Sequence, residues 1–227
     1  LFRSCRGGYF CPWASTQATQ FECGGPEVFC PHGSGAPTPV SSGYYTGEER
    51  PPDSRTHQLV CPPGWWCSLG LRSLCPAGRY GSESGLTTPA CSGDCDPGYY
   101  CPREGDTTPR REECGGPDVY CPGGGTRPLP LPLGTYSVGG YERFTAHAAN
   151  TTRVDWRECL PGHYCVGGIL FQCPGGFWGD GLRETSPQCK GECPAGYFCP
   201  PGTTDPRAHA CGDISVNITA YPELLND

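Results

Sequence analysis

The chain has 227 residues and a net charge of -7, and it carries too few apolar side chains for an ordinary core. Leu, Ile, Val and Phe total 33 residues, while Gly and Pro total 35 and 27, a composition typical of disordered or low-complexity sequence. Nineteen cysteines supply an alternative source of order, because disulfides stabilise chains that lack a core. The composition therefore excludes a typical cytosolic globular protein and indicates a secreted, extracellular one.

The charge and the apolar residues are both spread thinly along the chain. No basic stripe is present, so nucleic acid is not expected as a partner. No window contains the run of about eighteen apolar residues that a membrane-spanning helix needs, so no membrane span is expected.

In chain order, the cysteines form a repeating series. Six of them recur 98 residues later with identical spacing. The first set is Cys61, Cys67, Cys75, Cys91, Cys95 and Cys101, and the second is Cys159, Cys165, Cys173, Cys189, Cys193 and Cys199. The remaining cysteines follow the same series with one step longer by a single residue. Cys5, Cys11, Cys23 and Cys30, with steps of 6, 12 and 7, correspond to Cys95, Cys101, Cys114 and Cys121, with steps of 6, 13 and 7. Internal repeats of this kind predict an array of modules. The units are residues 1–94, residues 95–192, and a truncated third unit with a tail, residues 193–227.

The truncated third unit accounts for the odd number of cysteines. Two complete units hold eight cysteines each, and the third has Cys193, Cys199 and Cys211 but Ile218 where a fourth is expected. One of these three cysteines therefore lacks a partner within the unit. It is free, joined to a neighbouring chain, or bonded to sequence beyond Asp227. The connectivity of the rest is open, because eight cysteines allow 105 pairings.

A short phrase precedes many of the cysteines. Pro-Gly-Trp-Trp-Cys67, Pro-Gly-Tyr-Tyr-Cys101, Pro-Gly-His-Tyr-Cys165 and Ala-Gly-Tyr-Phe-Cys199 each combine a turn with two mostly aromatic residues. This pattern predicts a tight turn that leads into a short strand, with a ring available to cover a disulfide. The expected fold is a small, disulfide-rich, elongated tandem repeat of short β-hairpins and irregular turns, with little helix and no single large core.

Residues 75–102 and 173–200 resemble the ephrin-receptor-like cysteine-rich repeat, and the resemblance covers nearly all of the chain except its last sixteen residues. Such repeats occur in long arrays in extracellular proteins of algae, oomycetes and other protists. The resemblance implies a small disulfide-bonded β module of a surface or matrix protein, often glycosylated and without catalytic residues. The chain departs from the pattern at Ile218 and in the tail, Asp213 to Asp227.

Several positions are candidates for attached sugars. Asn150-Thr-Thr and Asn217-Ile-Thr are N-glycosylation sequons, which a secreted chain can use or leave unused. Residues that precede Pro are candidates for O-linked sugar, although they also suit turns: Thr38, Thr88, Thr108 and Ser186.

The sequence predicts neither a metal site nor a catalytic site. The close pairs Cys91/Cys95 and Cys189/Cys193 belong to the disulfide series, and the five histidines are scattered, so disulfides are favoured over zinc. Acid pairs such as Asp94/Asp96 and Glu112/Glu113 lie in a chain without a core that could perturb their pKa values. We therefore expect no enzyme activity and no cofactor.

Two functions fit the repeat pattern. The first is a structural glycoprotein subunit of a fibril, flagellar hair, cell wall or surface coat, with copies of itself, covalent glycans and matrix polysaccharide as partners. The second is an adhesive or receptor-type ectodomain that binds a protein or carbohydrate through the two long cysteine-free stretches, residues 31–60 and 122–158. Stacking of sugars on Trp65 and Trp66 belongs to this second hypothesis, and packing of these rings over disulfides is the simpler account.

Overall fold

The structure is a computed structural model, and it describes residues 4–47, 51–139 and 151–212. Its only helical segment within these ranges is a single 3-10 turn, Pro52–Ser54. Twenty short strands make up the rest of the regular structure there, and they pair into ten two-stranded sheets.

The strands that precede Cys91 form four antiparallel pairs in chain order, β1–β2, β3–β4, β5–β6 and β7–β8, and β9 pairs with β10 beyond Cys91. They are β1 Tyr9–Phe10, β2 Phe21–Glu22, β3 Val28–Phe29, β4 Thr38–Pro39, β5 Tyr44–Thr46, β6 Gln58–Val60, β7 Trp65–Ser68, β8 Leu71–Leu74 and β9 Arg79–Tyr80.

The later strands repeat the same arrangement. They are β10 Gly93–Asp94, β11 Tyr99–Tyr100, β12 Glu112–Glu113, β13 Val119–Tyr120, β14 Leu129–Pro130, β15 Thr135–Val138, β16 Asp155–Glu158, β17 His163–Val166, β18 Ile169–Gln172, β19 Phe177–Trp178 and β20 Gly191–Glu192.

The Pro-Gly-aromatic phrase forms the predicted tight turn before strands β7, β11 and β17. At the phrase that begins β7, the Trp65 N–H donates to the Pro62 carbonyl at 3.1 Å, and Gly64 has a φ of 81°. A β-turn with a left-handed third residue favours Pro at its second position and Gly at its third, which matches Pro63 and Gly64. The two residues that follow the turn, Trp65 and Trp66, are the first two residues of strand β7.

Successive turns are joined by hydrogen bonds between backbone groups. In one example, Gly64 N–H donates to Gly81 O and Cys67 N–H donates to Leu86 O, both at 2.8 Å. The next turn along the chain repeats this, because Gly78 N–H donates to Cys101 O at 2.9 Å. These bonds satisfy the polar groups of the turns without help from side chains, so the arrangement tolerates wide variation in sequence.

Apart from glycines and Pro200, the buried apolar residues of the described chain are all cysteines. They are Cys5, Cys23, Cys30, Cys61, Cys67, Cys75, Cys95, Cys101, Cys114, Cys121, Cys159, Cys165, Cys173 and Cys199. Leucine, valine and the aromatic residues stay partly or wholly exposed throughout the same ranges. The predicted fold class is confirmed in this respect, since disulfides take the place of a single large core.

Two glycines permit a close approach between distant parts of the chain. A Cβ on Gly70 would lie 1.8 Å from the Pro26 carbonyl oxygen, and a Cβ on Gly168 would lie 1.8 Å from the Pro117 carbonyl oxygen. The φ angles of these glycines, 74° and 77°, are also unfavourable for other residues. Only glycine therefore fits at the tips of the β7–β8 and β17–β18 hairpins.

The chain forms two compact units. The first comprises Leu1–Glu112 and Gly123–Arg127, and the second comprises Glu113–Pro122 and Pro128–Asp227. The cysteine units at 1–94, 95–192 and 193–227 are a division by spacing, and as folding units they stay a prediction.

Candidate functional site

The disulfides form a framework of strictly local bonds. Cysteines six residues apart are bonded as Cys5–Cys11, Cys61–Cys67, Cys95–Cys101, Cys159–Cys165 and Cys193–Cys199. Cysteines seven apart are bonded as Cys23–Cys30 and Cys114–Cys121, and those sixteen apart as Cys75–Cys91 and Cys173–Cys189. Each bond of the first kind clamps the two ends of one turn phrase, so each module is stapled within itself.

Cys211 is the one cysteine of the described residues without a disulfide partner, and it is exposed. Its backbone N–H donates to Gly196 O at 2.8 Å. Cys23 makes the same bond to Gly8 O at 3.1 Å, and it is bonded to Cys30. The position that corresponds to Cys30 in the third unit is Ile218, which lies outside the described residues.

The cysteines weighed for zinc are engaged in disulfides with different partners. Cys91 is bonded to Cys75, and Cys95 is bonded to Cys101. Cys189 and Cys193 are likewise bonded to Cys173 and Cys199. A bonded half-cystine has no thiolate to offer a metal ion. No group of three or more His, Cys, Asp or Glu residues suited to a metal is found in the part of the chain that the structure describes.

The two carboxylates of the Asp94/Asp96 pair form ion pairs with different arginines. Asp94 lies 3.1 Å from Arg79, and Asp96 lies 2.7 Å from Arg110. These carboxylates therefore do not act together on one site.

Glu112 and Glu113 have different partners. Glu112 lies 3.9 Å from Arg111, and Glu113 accepts a hydrogen bond from the Thr151 hydroxyl. His163 is half-buried, and its Nδ1 lies 3.0 Å from the Pro161 carbonyl oxygen. His163 therefore interacts with the turn that precedes its own strand.

The candidate O-glycosylation residues differ in exposure. Thr38 and Thr88 are exposed, whereas Thr108 and Ser186 are half-buried. The first two are thus more open to a transferase in the folded chain. The sequons at Asn150 and Asn217 lie outside the described residues.

Trp65 and Trp66 point to opposite faces of the β7–β8 hairpin, as the register of the strands requires. The guanidinium carbon of Arg72 lies 4.7 Å from the ring centroid of Trp65 and 5.0 Å from that of Tyr45. This double cation–π contact ties the β5–β6 and β7–β8 hairpins together. One face of Trp65 is therefore already occupied by the protein itself.

The pKa values of two groups are lowered, for different reasons. The hydrogen bond from Lys190 to Asp180, with Nζ and Oδ1 2.6 Å apart, holds the pKa of this exposed carboxyl below its usual value. Desolvation by burial lowers the pKa of the Arg153 guanidinium, whose Nη1 donates to Ser137 O at 3.3 Å. Neither group lies in a cluster that resembles a catalytic centre.

The most exposed large apolar side chain of the described residues is Trp13, which is 98 % exposed. The sequence alone does not mark Trp13 as a candidate, because this residue stands outside the aromatic phrases that precede the cysteines. A signal was present in the repeat, since Cys11-Pro-Trp corresponds to Cys199-Pro-Pro in the third unit. An aromatic residue at a position where a sister unit has proline indicates a role that the fold does not impose.

No family model matches this sequence, and no curated protein matches it. No helix within the described residues is both long and apolar enough to cross a membrane. Nine disulfides in a chain without an apolar core indicate that it folds in an oxidising compartment, which is typical of secreted proteins.

Proposed function

We propose that this protein is a structural subunit of an extracellular fibril, flagellar hair, wall or surface coat, with no catalytic role. The observation that carries the proposal is the construction of each module. Its buried hydrophobic side chains are half-cystines, and its turns are joined to the next by backbone hydrogen bonds. A module of this kind can be added in tandem without a new core, as in other repeat proteins in which each repeat contacts its neighbours.

The pattern of hydrogen bonds supports this proposal because it recurs where the side chains differ. Gly78 N–H donates to Cys101 O in the first compact unit, and Gly176 N–H donates to Cys199 O in the second, at 2.9 and 2.8 Å. The resemblance to ephrin-receptor-like repeats points in the same direction, since those repeats form extracellular arrays. A rod of such modules, decorated with glycans, would join other copies end to end or side by side.

Electron microscopy of the native material tests the structural role. Filaments or sheets with a regular axial repeat, labelled by an antibody against this chain, are the expected result. Dispersed particles that do not assemble at any concentration, together with saturable binding of a soluble ligand, would favour the adhesive or receptor-type role instead.

The glycoprotein part of the proposal is tested by intact mass. We expect the native protein to have a mass above that of the bare 24.2 kDa chain. Treatment with an N-glycosidase should lower this mass and change the masses of peptides that contain Asn150 or Asn217. A native protein whose mass equals that of its polypeptide would remove this part and leave the structural role standing.

A further inference from the structure

Trp13 stands at the corner of a turn that the fold uses more than once. In the turn of residues 12–15, the Ser15 backbone N–H and hydroxyl both donate to the Pro12 carbonyl, at 3.1 and 2.7 Å. The turn of residues 31–34 is closed in the same way by Ser34, at 3.2 and 2.8 Å, and that of residues 200–203 by Thr203, at 3.2 and 2.6 Å. The turn is thus a standard part of this fold, and its corner residue is free to vary.

The corner position is wholly or partly open to solvent in the two sister turns, which are stacked on other turns. His32 is exposed, although the N–H of the next residue, Gly33, donates to Cys5 O at 2.8 Å. Pro201 is half-buried, and the N–H of Gly202 beside it donates to Cys173 O at 2.9 Å. Exposure at the corner therefore belongs to the turn, and Trp13 has the larger side chain there.

The stability of the turn does not account for the tryptophan. Turns with a left-handed third residue favour proline at the corner and glycine after it, which is the sequence at residues 201–202. The first unit instead has Trp13 and Ala14, and Ala14 takes a φ of 72°, where an alanine is strained. The chain thus holds a large apolar side chain in water on a turn that proline and glycine would stabilise better.

The loop around Trp13 carries no charge. Residues 9–21 contain no Asp, Glu, Lys, Arg or His, and the exposed polar residues among them are Thr16, Gln17, Thr19 and Gln20. Hydroxyl and amide groups without charge suit a partner that is polar and neutral. A nucleic acid, an anionic lipid surface or an acidic polymer would call for basic residues.

The loop is also held in place before any partner arrives. The disulfide Cys5–Cys11 closes its start, and the Arg6 N–H donates to the Ala18 carbonyl at 2.9 Å. At its base, Phe10 and Phe21 stack with their ring centroids 5.4 Å apart, and Phe21 is 45 % exposed. A rigid aromatic residue loses little conformational entropy on binding, which favours recognition.

From these observations we infer that the loop of residues 12–20 is a binding site for a neutral polysaccharide. The indole of Trp13 stacks on the C–H face of a sugar ring, and the amides and hydroxyls beside it hydrogen-bond to sugar hydroxyls. The site is independent of the proposed assembly, because it rests on one loop of the first unit and needs no second copy.

The test uses the full chain and three soluble neutral probes, cellohexaose, laminarihexaose and mannohexaose, titrated by calorimetry. We expect at least one probe to bind, and Trp13→Ala to weaken that binding by about tenfold, the order expected for loss of one aromatic contact. Trp13→Phe keeps a ring and retains most of the affinity. His32→Ala, at the corner of the sister turn, is the matched control and leaves the affinity unchanged.

Three outcomes would overturn the inference. They are the absence of binding to every neutral probe, equal binding by the wild type and Trp13→Ala, and tighter binding of polygalacturonate, an anionic polysaccharide that is titrated alongside the neutral probes. A fourth contrary outcome is a change of oligomeric state in Trp13→Ala with no effect on sugar, which would assign the loop to protein contact. Counting free thiols in each variant checks that the disulfides, and therefore the loop, have formed.

Discussion

The described parts of residues 41–91 (the first block) and of residues 132–189 (the second block) have the same backbone arrangement and different surfaces. Thr46 Oγ1 donates to Pro26 O at 3.0 Å in the first, and Ser137 Oγ donates to Pro117 O at 2.6 Å in the second. Isolated bridges join Tyr45 to Gly70 and Tyr136 to Gly168 in the same way. What the two blocks share is therefore the cystines, the backbone bonds and the small residues that allow close approach.

The side chains that differ make contacts of different chemistry at equivalent positions. Where the second block has the Asp180–Lys190 ion pair, the first has Ser82 and Ser92, whose hydroxyl oxygens lie 3.3 Å apart. Arg72 lies between two aromatic rings in the first block, and Leu170 occupies its place in the second. Surface contacts thus adjust each block, whereas the common elements determine its fold.

Replacement of the hairpin-tip glycines gives the largest expected effect. Gly70→Ala and Gly168→Ala each place a methyl group on a backbone carbonyl, and each should reduce the free energy of unfolding by about 4 kcal/mol. Chemical denaturation with the disulfides intact measures this change. Gly35→Ala is the control, because no atom lies within 4 Å of a Cβ there. Unchanged stability in both hairpin variants would show that the shared close approach is not needed.

Removal of a disulfide comes next in size. A bond that closes a sixteen-residue loop should contribute about 3 kcal/mol, so Cys75→Ala/Cys91→Ala should cost this much. Cys173→Ala/Cys189→Ala should cost the same in the second block, and Cys61→Ala/Cys67→Ala about 2 kcal/mol, because its loop is shorter. A large difference between the two equivalent bonds would break the comparison between the blocks.

The hairpins, the turns and the scarcity of helix were predictable from the sequence, because the Pro-Gly-aromatic phrase determines its local conformation. The pairing of cysteines was not, since spacing alone leaves many connectivities open. The Cys61–Cys67 bond shows the physical reason for pairing between cysteines six residues apart, because the tight turn at Gly64 brings the two ends of one phrase together. The bonds between cysteines six residues apart are a consequence of that turn.

Other features depend on contacts between distant residues, which a single sequence does not reveal. Gly70 is constrained by Pro26, 44 positions earlier, and nothing in the hairpin itself indicates this. The role of Arg72 requires Tyr45 and Trp65 on neighbouring hairpins. The exposure of Trp13 follows from its place at a turn corner, which becomes visible only when sister turns are compared in the structure.

Loss of the cation–π contact should have a smaller effect. Arg72→Leu introduces the residue of the second block, and it should cost about 1 kcal/mol. Arg72→Lys keeps the charge and part of the stabilisation, and a change in tryptophan fluorescence should report the altered surroundings of Trp65. If Arg72→Leu is as stable as the wild type, the contact between the rings and the guanidinium does not stabilise the first block.

The smallest expected effect concerns Asp180. Because Lys190 lowers its pKa in the folded state, the pair favours folding above the ordinary carboxyl pKa, and this contribution is lost as the pH falls through the lowered value. Asp180 is exposed, so the change in stability is slight and the titration itself is the better readout. In an NMR titration, Lys190→Ser should return the carboxyl to its ordinary pKa. An unaltered titration curve would contradict the assigned cause.

In every module that the structure describes, local disulfides take the place of an apolar core. Peptide mapping of the native, unreduced protein tests it most directly, together with a count of free thiols after denaturation. We expect the nine bonds between cysteines six, seven or sixteen residues apart, with Cys211 in none of them. Bonds that join different turn phrases, such as one from Cys61 to Cys159, would contradict it.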